Sequence, residues 1–179
     1  MNLIDVKSPA DLKGLSISEL TDLTAQARQA LMTKVSEHGG HFGPPMGAAE
    51  MIMALHYVFN SPVDKIVYDV SHQSYVHKMV TGRALAFLDH DHYDDVTGYT
   101  DPTESDHDFF NIGHTSTSIS LASGLATARN LKGDSENIIA IIGDGSLSSG
   151  EAFEGLDYAA TLDSNMIIIV NDNDQSIAE

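Results

Sequence analysis

The sequence predicts an α/β fold: a parallel sheet with helices on both faces. Short apolar runs alternate with stretches of helical periodicity along the chain. The closing stretch from Asn137, "NIIAIIGDGSLSSGEAFEGLDYAATLDSNMIIIVNDNDQSIAE", reads as strand, helix, strand. At 179 residues, 42% hydrophobic and 20% charged, the chain is large enough for one domain with a real core.

The elements follow in order. Ser16-Ile-Ser-Glu19 is a capping box that opens a helix; Leu20, Leu23, Ala27, Leu31 and Val35 recur at helical spacing, and Gly39-Gly40 stops it. "GGHFGPPMG" is a loop, and a mostly apolar, hence buried, helix runs from about Ala48 to Phe59. "KIVYDV" (Lys65–Val70) is a short strand, after which Ser71 is placed to cap a helix through Met79, closed by Gly82. "RALAFLDHDHYDDVTGYTDPTESDHD" is acidic with little periodicity and reads mostly as exposed loop, with a flexible insert at about Ala84–Thr103. Phe109–Ile112 is a candidate brief strand. Ser116 or Ser118 then caps a helix to about Leu131, stopped by Lys132-Gly133.

Composition narrows the function classes. No run approaches the ~20 apolar residues of a membrane span, the N-terminus lacks the pattern of a signal peptide, and a cytoplasmic location is the expectation. There is no cysteine, which excludes disulfides and thiolate metal sites. Nine Lys+Arg against 26 Asp+Glu give a formal charge of −17. That field repels nucleic acid, anionic membranes and phosphorylated ligands, so phosphate binding here calls for a divalent cation or helix N-termini.

The end of the chain supplies both. In a βαβ unit the two strands end on the same sheet edge, where open α/β sheets bind ligands. Asp144 and the Asn171–Asn173 cluster therefore converge. Asp144 is a hard anionic donor, and Asn171 or Asn173 offers a neutral carbonyl oxygen, a set that suits magnesium. Gly143 and Gly145 allow a sharp turn, and the following helix, opening with Ser146, Ser148 and Ser149, aims free N–H groups at the same place. Gly-Asp-Gly or Asn-Asp-Asn alone is a common turn; the pair, each directly after an apolar strand, marks a magnesium–diphosphate site. His41, His72 and His114 lie at loop–helix junctions able to share a cleft, whereas His38, His56 and His77 fall on helices and read as structural. His90, His92 and His107 belong to the acidic stretch, where a solvated loop is the expectation rather than a metal site.

The Gly-Asp-Gly and Asn-Asp-Asn pair resembles the cofactor motif of thiamine-diphosphate enzymes. "VSEHGGHFG", "ALHYVFNSPVDKIVYDVSHQSYVHKMVTGR", "ESDHDFF" and "GHTSTSISLASGLA" narrow the resemblance to the transketolase-like group and, within it, to the 1-deoxy-D-xylulose-5-phosphate synthase family. The likeness covers nearly all of the chain except Ala84–Thr103. It implies a thiamine-diphosphate-binding, transketolase-like fold with thiamine diphosphate and Mg2+ as cofactors. By the same resemblance, Asp144 and Asn173 are metal ligands with the main-chain carbonyl of Gln175, and Gly145, Ser146 and Asn173 contact the cofactor. Gly113, His114 and Thr115 match a Gly-His-Ser contact with Thr in place of Ser. His72, in Ser-His-Gln, matches a histidine lying over the cofactor, and His41 matches an active-site histidine; these two are the catalytic candidates.

The implied activity is C2-unit transfer, condensing pyruvate with glyceraldehyde 3-phosphate to 1-deoxy-D-xylulose 5-phosphate with loss of CO2, a step toward isoprenoids, thiamine and pyridoxal. The alternatives are transketolase-type ketol transfer, which "GPPMG" fits, and a non-catalytic cofactor-binding homologue. Small-molecule substrates and a homodimer are implied, with no nucleic acid or membrane partner. "GYTDPTESDHD" stands where the family carries a basic segment. Residues 1–179 are expected to be a truncated diphosphate-binding domain, inactive alone, with the pyrimidine-binding and C-terminal domains absent.

Overall fold

The computed structural model describes residues 1–172; the expectations for Asn173 and Gln175 lie outside the described residues. Three parallel strands, β1 (Lys65–Tyr68), β2 (Ile138–Gly143) and β3 (Met166–Asn171), pair in the order β1-β2-β3. Among the described residues seven α-helical segments surround them: α1 (Ile17–His38), α2 (Gly43–Gly47), α3 (Ala49–Val58), α4 (Tyr75–Lys78), α5 (Leu85–Leu88), α6 (Ser118–Lys132) and α7 (Gly150–Thr161).

β2 is the axis of the molecule. Ile138 through Ile142 are each at most 1% exposed, as a central parallel strand covered on both faces requires. Ile139 and Ile141 join Ile66 and Tyr68 in a core shared with α1 and α3, while Ile138, Ala140 and Ile142 join Val67 in a second core with α6 and α7. Helices therefore cover both faces. α6 and α7 approach closely because Gly155 lacks a side chain; a Cβ there would lie 3.0 Å from Ser120 Oγ and 3.2 Å from its amide nitrogen.

The Ser16 capping box forms as expected, Ser16 N–H donating to Glu19 at 2.8 Å, and Gly39 ends α1. Four local expectations are corrected. Ser71 caps no helix: it sits at φ +69° and its hydroxyl donates to the Ile112 carbonyl at 3.0 Å, so α4 begins only at Tyr75. Phe109–Ile112 is not a strand, since side-chain hydroxyls of Thr100 and Ser71 take the carbonyls of Phe110 and Ile112. Neither Ser116 nor Ser118 caps α6 with its own side chain; the buried Asp69 carboxylate does so from the end of β1. The turn after Gly143 is a 3-10 helix, Asp144–Ser148, and α7 starts at Gly150.

The acidic stretch is also more ordered than its charge suggests. It holds α5 and a 3-10 segment, His90–Asp95, with Ala86, Phe87 and Tyr93 at most 4% exposed. Four-residue helices are too short to show periodicity, and the anchor is remote in sequence: Lys34 Nζ on α1 donates to the carbonyls of Ala86 (2.9 Å) and Tyr93 (2.8 Å).

"ESDHD" is fixed by a buried polar chain. Asp108 accepts from His77 Nε2 (2.7 Å) and from both terminal nitrogens of Arg83 (2.7 and 2.9 Å), and Glu104 accepts from Lys78 (2.6 Å) and Arg83 (3.1 Å). Because the carboxylate only accepts, His77 carries its proton on Nε2 and its Nδ1 accepts from His56 Nε2 at 2.8 Å. His56 and His77 are thus structural, as their helical positions suggest. Burial holds His77 down to about 4 and His56 well below its ordinary value. Burial opposes ionisation of Asp108, but hydrogen bonds from His77 and Arg83 hold it well below the usual carboxylate range.

A histidine kept neutral in the fold, but protonated when unfolded, adds stability that is complete above the unfolded pKa of ~6.5 and is lost as pH falls from there toward about 4. Urea unfolding of the chain should therefore lose on the order of 2–3 kcal/mol between pH ~7 and ~4.5. His77→Gln should flatten that slope; an unchanged slope in the variant would contradict the assignment.

Candidate functional site

The site is built at the C-terminal edge of the sheet. Gly143 pairs with Asn171 in the β2–β3 register, so Asp144 and Asp172 emerge side by side. This is the convergence the βαβ pattern predicts. Asp144 is half-buried, Gly145 is exposed and Ser146 is buried.

Three loops meet over this edge. Asp69, 1% exposed, accepts the Ser116 amide on Oδ1 (2.8 Å) and the Ser118 amide on Oδ2 (3.0 Å). Ser116 Oγ donates to the Ser146 carbonyl at 2.6 Å, tying the "GHTS" loop to the Gly-Asp-Gly turn. Ser71 Oγ donates to Ile112 and accepts the Thr100 amide at 2.9 Å. Val70, Ser71 and Ser116 all have left-handed backbone (φ +57°, +69° and +76°). Such conformations cost on the order of 1–3 kcal/mol each and persist where surroundings over-determine them.

The helix ends divide the electrostatic work. Asp69 neutralises the positive end of α6. α7 has no such partner: its N-cap, Ser149, makes no side-chain capping bond, and the buried Ser149 Oγ has no hydrogen-bond partner among the described residues. With only the exposed Glu151 in that first turn, the N–H groups of α7 can receive an anion beside Asp144. Among the described residues no three His, Cys, Asp or Glu side chains cluster to hold a metal by themselves. Asp144 would serve as one charged ligand in a set completed by neutral oxygens.

His41 and His72 come together, ring centroids 5.5 Å apart and edge to face. Burial lowers both below the ordinary histidine value, and His41 further lowers His72 while Asp69 opposes this. Both are neutral at pH 7, with a nitrogen free to take a proton; His72 Nδ1 is buried with no partner among the described residues. Gly113, His114 and Thr115 lie exposed on the rim. There His114 Nδ1 donates to the Thr115 carbonyl at 2.8 Å, which leaves Nε2 as its acceptor.

Tyr75 was not singled out by sequence pattern, yet it sets His41 in place. Its Oη accepts the His41 amide at 3.3 Å and lies 3.5 Å from Nδ1, and the Tyr75 ring packs on Phe87. Gly40 makes room, for a Cβ at its φ of +126° would lie 2.8 Å from Tyr75 Oη. A cavity of about 270 Å³ opens beside His41, walled by Lys34, His38, Tyr75 and Gly98.

A family model described as 1-deoxy-D-xylulose-5-phosphate synthase matches residues 3–179. Curated proteins named 1-deoxy-D-xylulose-5-phosphate synthase are similar over nearly the whole chain. That of Pelotomaculum thermopropionicum is 46% identical over 99% of this chain. That of Caldanaerobacter subterraneus is 50% identical over 99%, and 1-deoxy-D-xylulose-5-phosphate synthase 2 of Geobacter sulfurreducens is 49% identical over 97%. The chain spans 28% of the length of each of these relatives.

Tyr75→Phe should shift the His41 ring 15N signals while costing only about 0.5–1.5 kcal/mol of stability, the worth of one hydrogen bond. His41 resonances identical to those of the parent chain would show that Oη does not orient the ring.

Proposed function

The chain belongs to the 1-deoxy-D-xylulose-5-phosphate synthase family, and from that premise we propose that residues 1–179 form the diphosphate-binding domain of a thiamine-diphosphate enzyme. Its reaction joins pyruvate to glyceraldehyde 3-phosphate with loss of CO2. The observation that supports this most is the register pairing Gly143 with Asn171, which sets Asp144 beside the end of β3 and the uncapped start of α7.

The donor set fits the group. Asp144 supplies the charged oxygen for Mg2+, Asn173 and the Gln175 carbonyl supply neutral ones, and the α7 N–H groups with Gly145 and Ser146 receive the diphosphate. Ser149 Oγ, without a hydrogen-bond partner among the described residues, is a further hydroxyl for a phosphate oxygen. Gly113, His114 and Thr115 contact the cofactor from the rim. When bound, thiamine diphosphate supplies the electron sink that carries charge on a carbonyl carbon as CO2 leaves. His72, beside His41, would help to orient the reacting groups. His41, held at its Nδ1 side by Tyr75, takes and returns a proton at Nε2. A pyrimidine-binding domain, a further domain and a homodimeric partner complete the assembly. No helix among the described residues is long and apolar enough to cross a membrane.

Calorimetric titration of the full-length protein tests the site. With −17 on this chain, thiamine diphosphate should bind only when a divalent ion is present, since a helix end contributes only about 0.3–1 kcal/mol. Asp144→Ala should remove most of the affinity and Asn173→Ala less, while His114→Ala should weaken the cofactor yet keep the metal dependence. Metal-independent binding, or Asp144→Ala binding like the parent, would overturn the reading.

A further inference from the structure

The chain contains a buried cation that the proposed chemistry does not use. Lys34 is 5% exposed, and burial, with Lys78 adding to it, lowers its pKa to about 8. Two of its three N–H donors go to the carbonyls of Ala86 and Tyr93, and the ammonium lies 4.4 Å from the centre of the Phe87 ring and 5.5 Å from that of Tyr93. Among the described residues the third N–H has no acceptor and no carboxylate lies within ion-pair distance.

The acids acting on Lys34 from farther off are committed elsewhere. Asp94 pairs with His38 at 3.0 Å, Asp95 with His92 at 2.7 Å, and Glu104 with Lys78 at 2.6 Å. Glu37 accepts from Tyr93 Oη at 3.1 Å. A buried charge without a counter-charge is costly, and this one lines the cavity of about 270 Å³ beside His41. That volume exceeds a water's share of ~30 Å³ several-fold. Of its other polar walls, Tyr75 keeps a hydroxyl hydrogen for a ligand when its Oη accepts from His41, whereas His38 faces Asp94, Tyr93 donates to Glu37 and Thr97 donates to the Tyr99 carbonyl.

We propose that the cavity between Lys34 and His41 is a binding site for a small oxyanion, a carboxylate or a phosphate, with the Lys34 ammonium as its counter-charge. Occupation completes the third hydrogen bond and raises the affinity of Lys34 for its proton, so binding strengthens as pH falls through the region where Lys34 titrates. His38, His41, Tyr75 and Tyr93 face the same space, and Lys78 weakens the effect from α4. The site requires neither thiamine diphosphate nor magnesium, so its failure and that of the proposed function are separable.

The test is 15N NMR of the lysine side chains in the full chain without cofactor, at constant ionic strength. Sodium pyruvate, sodium phosphate and, as a neutral control, glycerol are titrated in turn. A saturable shift of the Lys34 Nζ signal, with its pKa rising by about one unit, is expected from pyruvate, phosphate or both, and not from glycerol. Response to pyruvate alone assigns a keto-acid subsite; response to phosphate alone assigns a phosphate subsite. Thermal stabilisation by the responding anion should vanish in Lys34→Met, and the NMR titration stands alone if that variant does not fold. A Lys34 signal that neither anion moves, or that moves without saturation, would overturn the proposal.

Discussion

The contact on which the edge of this sheet depends is a buried carboxylate bonded to two main-chain amides. Asp69 leaves the end of β1 and accepts Ser116 and Ser118 at 2.8 and 3.0 Å, so the first turn of α6 is capped by another element rather than by its own residues. Hydrogen bonds to a charged group contribute about 1.5–3 kcal/mol each. That is the same order as the left-handed backbone at Val70, Ser71 and Ser116, and the strained loops are tolerable because this anchor offsets them. Ser116 then passes the constraint on to the Gly-Asp-Gly turn through Ser146.

The arrangement also distributes charge. In a chain of net charge −17, the positive end of α6 is consumed by Asp69, while that of α7 has no side-chain cap and only the exposed Glu151 in its first turn. A second buried polar chain, from His56 through His77 to Asp108 and Arg83, locks "ESDHD" under α4 and fixes the segment that leads into the "GHTS" loop. Both networks rest on buried carboxylates, Asp69 at the end of β1 and Asp108 in a stretch whose acidity reads as exposed loop.

What the sequence made legible follows from where its signals are local. The α1 capping box, the apolar runs of β2 and β3 and the Gly-Asp-Gly turn each declare themselves within a few residues. Their parallel pairing follows from the crossover rule. Ser71 misleads because its hydroxyl is claimed by Ile112, 41 residues away, and α5 stays hidden because its anchor, Lys34, is 52 residues from Ala86. Asp69 was within reach: "KIVYD" ends in an aspartate just past an apolar strand, as "IIGD" does, and the rule that marks Asp144 marks it too. Pattern cannot tell that one of the two turns inward to cap a helix while the other stays at the edge. That distinction needs the register and the neighbouring loop. Tyr75 gave no signal, since a single aromatic at the start of a short helix reads as core.

The central claim is that Asp69 holds the site's loops by accepting two amides, and amide hydrogen exchange at those positions tests it directly. In the native chain the Ser116 and Ser118 amides should exchange as slowly as those of Ile139 and Ile141 in the central strand, despite lying in a loop and a first helical turn. In Asp69→Asn, the amide that meets the new NH2 group should lose at least about tenfold in protection, ~1.4 kcal/mol, while the β2 amides keep theirs. Fast exchange at Ser116 and Ser118 in the native chain, or protection unchanged by Asp69→Asn, would contradict the account.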